Sequence, residues 1–162
     1  MKRLLIHPIG LALLAVLSWS ATAHGVDYTF SLDGPNTAVN PGDGDVLRTA
    51  GAGKFSTGGG IVATGSFSHL APDGTVIARG RWSATDFVAF NSIGGPSPGF
   101  QAGVLDITVD FFPVGEVPVV GLSMRVVCDI PGFITGEPIG TTVGGFSDAT
   151  GGFTLFNLHQ NP

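Results

Sequence analysis

The chain has one cysteine, Cys128, among its 162 residues. A single thiol cannot close an internal disulfide, so packing and strand pairing must hold the fold. Basic side chains are also sparse, with seven Lys and Arg against twelve Asp and Glu. Two of the seven are Lys2 and Arg3; the others, Arg48, Lys54, Arg79, Arg81 and Arg125, are scattered without a run. Five basic against twelve acidic residues leave a formal charge of −7 on residues 24–162. Most of such a surface repels a phosphate backbone, which argues against nucleic acid as a partner and equally against anionic membranes. No segment beyond the first twenty or so residues has a helical period. The 26 glycines follow no Gly-x-y period, which excludes collagen. The 43% of apolar residues is too many for a disordered chain.

What is present begins with an export leader. Lys2 and Arg3 form a positive start, and an apolar stretch from Leu4 to Leu17 follows, interrupted by His7 and Pro8. Ala21-Thr-Ala23 is the small-x-small pattern a signal peptidase accepts, so residues 1–23 read as a signal peptide cleaved before His24. The apolar run is shorter than the roughly 20 residues that cross a bilayer, which speaks against a retained anchor. A lipoprotein needs a cysteine directly after the cut, and Cys128 is far from it. The paired residues Lys2-Arg3 stand too close to the start for a twin-arginine signal. Residues 24–162 then form one secreted or periplasmic domain, with no stable membrane insertion after cleavage.

Glycine mixed with valine, phenylalanine and threonine at short intervals reads as turns, bulges and tight strand curvature. Tyr28, Phe30 and Leu32 alternate with polar residues, predicting a strand over 26–32 that ends at Asp33-Gly-Pro35. A short edge strand is expected at 46–49, before the glycine-rich stretch 51–60. The clearest unit is 61–84. Ala63, Gly65 and Phe67 share one face, Ala71-Pro-Asp-Gly74 is a strong turn signal, and Val76, Ala78, Gly80 and Trp82 share a face on the return. This predicts an antiparallel hairpin, with 87–90 extending it past a bulge near Asp86. Further strands are expected at 104–112, 119–130, 139–146 and 152–158. Seven or eight short strands predict an all-β fold, a single small antiparallel barrel or alternatively a β-sandwich.

Candidate chemistry starts at the new N-terminus. Cleavage before His24 would free an amine that, with the Nδ1 of the same ring, chelates one copper ion. A second imidazole would complete a three-nitrogen site suited to Cu(II). His69 and His159 are the candidates for it, and His69 is preferred because a strand would hold it rigidly. The start His24-Gly25 resembles those of lytic polysaccharide monooxygenases and of CopC-like periplasmic copper carriers. That resemblance implies His24 as the chelating ligand and copper as the cofactor; it covers two residues, and no further motif of either family matches.

A second group is Asp106 and Asp110 on one strand face. Four residues along a strand separate them by about 13 Å, too far for a glycosidase pair at roughly 5–9.5 Å. They are expected to face solvent, or to pair with Arg79, Arg81 or Arg125. Turned inward, Arg79, Asp106, Asp110 and Arg125 would instead line a barrel and serve an isomerase- or cyclase-type enzyme. Gly51-Ala-Gly-Lys54 lacks a complete phosphate-binding loop. Cys128 and Trp82 read as buried core. The leading expectation is an exported β domain that binds a small molecule or serves as a structural or interaction module.

Overall fold

The computed structural model describes residues 25–159 as eight antiparallel strands. They are β1 (Asp27–Val39), β2 (Val46–Ser56), β3 (Ile61–Leu70), β4 (Val76–Ser97), β5 (Phe100–Pro113), β6 (Val119–Cys128), β7 (Gly140–Val143) and β8 (Asp148–His159). The all-β expectation holds, and so does the 61–84 hairpin, with Phe67 opposite Gly80 and Gly65 opposite Trp82. Most strands are longer than the sequence pattern suggested. β1 passes through Asp33-Gly-Pro35 by a register shift between Leu32 and Asn36 instead of stopping there. β2 absorbs the glycine-rich stretch as far as Ser56, because Gly51 and Gly53 are where the backbones of β2 and β3 crowd together, and 57–60 form the turn.

The barrel expectation is corrected. Strand order is β4-β3-β2-β1-β8-β5-β6-β7, with β4 also paired to β5. Hydrogen bonds therefore run in a ring, but β8 meets β5 at one residue pair, Gln101 with Phe156. Beyond Gly103 that same edge of β5 pairs with β6 instead. A strand has two edges, so β5 cannot join β4, β6 and β8 along its whole length. The ring is pinched at one seam, β6 and β7 branch away from it, and the result is sandwich-like rather than a clean barrel. β4 takes part twice, pairing β3 over Val76–Ser83 and β5 over Gly80–Ser97. Its ladder with β5 carries register shifts between Ala84 and Asp86, Phe87 and Ala89, Ser92 and Gly94, and Gly94 and Ser97, irregularities that bend this long strand.

The interior is densely filled. Trp82, Phe30, Phe156, Leu105, Ile107 and Met124 are almost wholly excluded from solvent. Burying each large apolar side chain contributes about 1.5–3 kcal/mol, which drives the inward parity of every strand. Tyr28, Phe55, Phe87, Phe90 and Phe156 form a connected aromatic cluster with centroids 4.7–6.3 Å apart. A polar network is also buried, centred on Asn36. The Asn36 Oδ1 accepts hydrogen bonds from Thr141 and Thr154, and its Nδ2 donates to the Phe153 carbonyl. This amide ties β1, β7 and β8 together, and Gly152 is compelled to be glycine because any Cβ would collide with Asn36.

Candidate functional site

At one end of the fold the two layers diverge and leave an apolar cavity of about 250 Å³. Residues of six strands, β2 to β7, wall it: Leu47, Phe67, Ala78, Phe111, Leu122 and Val143. Two features open it. The register shift between Val109 and Phe111 pushes β6 off β5, and the Asp110 Oδ1 steadies the shift by accepting from the Gly121 amide at 2.8 Å. The turn after β7 supplies Gly144 and Gly145, which have no side chains to fill the gap. Val114, Val117 and Val119 are exposed around the β5–β6 turn, so the approach is apolar as well.

Polar groups sit at the rim. The His69 Nε2 lies 2.7 Å from the Asp45 Oδ2, an ion pair when the ring is protonated and a neutral N–H donor bond otherwise. Asp45 is placed by the β1–β2 turn, where its amide donates to the Asp43 carboxylate. The ring packs edge-on against Phe146, 5.2 Å between centroids. Glu116 is the other ionisable residue lining this cavity. Among the described residues, no hydroxyl, thiol or amine side chain lines it.

A larger hollow, about 530 Å³, lies at the opposite end on the outside of the sheet, with Asp27, Thr29, Lys54, Val62 and His159 among its walls. Its lining mixes these outer residues with the inward aromatics Tyr28 and Phe55, and is more polar than that of the apolar cavity.

His24 and the signal peptide expected over 1–23 lie outside the described residues. Among the described residues, His69 stands far from the start of β1. Asp27 pairs with Ser56, whereas His69 pairs with Leu47 nine residues further along β2, about 30 Å away. His159 is the histidine that pairs across from Asp27. Sequence proximity could not reveal this, because only strand register says which end of a strand a side chain occupies.

The expected acidic and basic residues do not line an interior. Asp106, Asp110 and Arg125 sit on outer faces, opposite in parity to Leu105, Ile107, Val109 and Phe111. Burying charge is costly whereas burying these apolar side chains is favourable, which decides the parity. Arg125 grips Asp106 through two N–H donors at 2.8 and 3.1 Å, and this bond holds the guanidinium pKa above its ordinary value. Arg79 is exposed on β4. Cys128 is buried and its thiol donates to the Thr154 carbonyl at 3.0 Å.

No protein-family model, curated protein or solved structure matches the chain. The site must be read from its own chemistry.

The cavity residues were missed as a group. Their inward parity was legible strand by strand, but the gap between them arises where two layers separate.

Proposed function

We propose that this is an exported, non-catalytic binding domain that takes a small apolar group into the cavity between Leu47, Phe67, Phe111, Leu122 and Val143. The observation that carries this reading is an apolar-walled opening with one hydrogen-bonded pair, His69 and Asp45, at its rim. Small-molecule sites have this character: mostly apolar walls with a few placed polar groups. At about 250 Å³ the cavity suits a compact ligand or a single inserted side chain.

Titration calorimetry with a series of medium-chain alcohols and carboxylic acids tests the proposal. Wild type is expected to bind at least one with micromolar to millimolar affinity, and Ala78→Leu, which extends a side chain into the cavity, is expected to abolish that binding while keeping the thermal midpoint. Heats from Ala78→Leu equal to those of wild type would defeat the reading.

A further inference from the structure

The outer face of the β2–β3–β4 wall concentrates a charge that the chain as a whole lacks. Strand register sets Arg48, Ser68 and Arg79 in one row across the three strands, and Ala50, Ser66 and Arg81 in the next. All three arginines are exposed. Arg48 and Arg79 stand two strands apart, about 10 Å, while Arg79 and Arg81 are about 7 Å apart along β4. Lys54, opposite Val62, lies further along the same face. Four of the five basic residues between 25 and 159 therefore share one surface of an acidic protein.

These cations are not neutralised locally. Among the described residues none of the four lies within ion-pair distance of a carboxylate, whereas Arg125 on the other layer reaches both Asp106 and Glu137. The nearest acid on the adjoining strand is Asp110, opposite Ser83, and its Oδ1 is taken by the Gly121 amide. Between and beside the arginines stand Thr64, Ser66, Ser68 and Ser83, short hydroxyl side chains that leave the guanidinium groups standing clear of the sheet. Like charges at this spacing repel one another, and a bound polyanion relieves that repulsion.

We propose that this face binds an acidic polysaccharide laid across β2, β3 and β4. The guanidinium groups pair with its carboxylate or sulfate groups, and Ser66 and Ser68 hydrogen-bond its hydroxyls. Nucleic acid fits less well, because single-strand binding uses stacked aromatic platforms and Phe112, opposite Arg81, is the exposed ring at this margin. A lipid surface also fits less well. The apolar residues Val62, Ile77 and Phe112 lie at the borders of the patch, while its centre is hydroxyl and guanidinium. The site is independent of the apolar cavity, which occupies the other side of the same wall.

The test is affinity electrophoresis and calorimetry of the folded protein with polygalacturonate and dextran sulfate, using neutral dextran and a single-stranded oligodeoxynucleotide for comparison. Wild type is expected to bind the acidic polysaccharides and not dextran, with affinity falling about 20- to 40-fold between about 50 and 200 mM salt as counter-ions are released from some three charge contacts. The double substitution Arg79→Gln and Arg81→Gln should weaken binding at least about tenfold, and Arg48→Gln should weaken it by a smaller factor. Arg79→Lys with Arg81→Lys should retain part of the binding, and Arg125→Gln should leave it unchanged. Failure of wild type to bind either acidic polymer at about 50 mM salt would overturn the proposal, as would undiminished binding by the double glutamine variant. Oligonucleotide binding as tight as that of the polysaccharides would also overturn it.

Discussion

Gly65 lies directly beneath the Trp82 indole, so that a Cβ at position 65 would stand 2.5 Å from Nε1 and would also collide with the Ala50 carbonyl. That carbonyl accepts the indole N–H at 3.1 Å. Gly51 borders the same ring, its own Cβ position lying 2.5 Å from Cζ2. The pair of glycines forms a slot in the β2–β3 wall, and the slot lets the largest side chain of the core lie flat against the backbone. Gly65 is needed for space, not for an unusual backbone angle, since its φ is not among the positive ones.

Gly65→Ala is therefore expected to destabilise the fold by about 2–3 kcal/mol, the range for overpacking a filled interior. Gly115→Ala should cost only about 1 kcal/mol, because Gly115 has open space around it and loses only its positive φ of 80°. Urea unfolding of both variants checks the contrast. Equal losses would mean that the indole does not occupy the slot.

Asn36 is fully buried, and its amide serves three partners on two other strands. Asn36→Ala strands the Thr141 and Thr154 hydroxyls and the Phe153 carbonyl, for an expected loss of about 3 kcal/mol. Thr141→Val removes one donor and should cost about 1 kcal/mol. The measurement is the urea midpoint at constant slope. An alanine variant as stable as wild type would show that water replaces the amide.

Burial raises the Cys128 thiol from an ordinary 9.0 to about 11. The folded chain then keeps a proton that the unfolded chain releases. The stability linked to this group is fully present below about pH 9 and is lost as the pH climbs toward about 11. Stability should fall more steeply between those values in wild type than in Cys128→Ala, and identical profiles would refute the link. Native Cys128 should also resist iodoacetamide at neutral pH and react once urea unfolds the chain.

Much of the fold was legible in the residues. The alternation of Ala63, Gly65 and Phe67, the turn at Ala71-Pro-Asp-Gly74 and the return through Gly80 and Trp82 gave one hairpin with its faces correctly assigned. Leu105, Ile107, Val109 and Phe111 gave a second inward face. Strand ends were harder, because Asp33-Gly-Pro35 reads as a stop when viewed alone, yet β1 continues past it, with β2 and β8 resuming their pairing after a register shift. The candidate sites were the least legible. The cavity depends on a register shift at Asp110, and the meeting of Arg48 with Arg79 depends on two successive strand registers.

The sequence alone determined the class of structure and the buried side of most strands, because alternation and turn chemistry act between near neighbours. Tertiary structure decided whether the sheet closes, where it opens and which charges gather. β5 could not serve three neighbours along its length, so the ring narrowed to the Gln101 and Phe156 seam and the barrel was lost. Pairing registers join residues tens of positions apart, and they turned arginines scattered along the chain into one basic face while separating His69 from the start of β1.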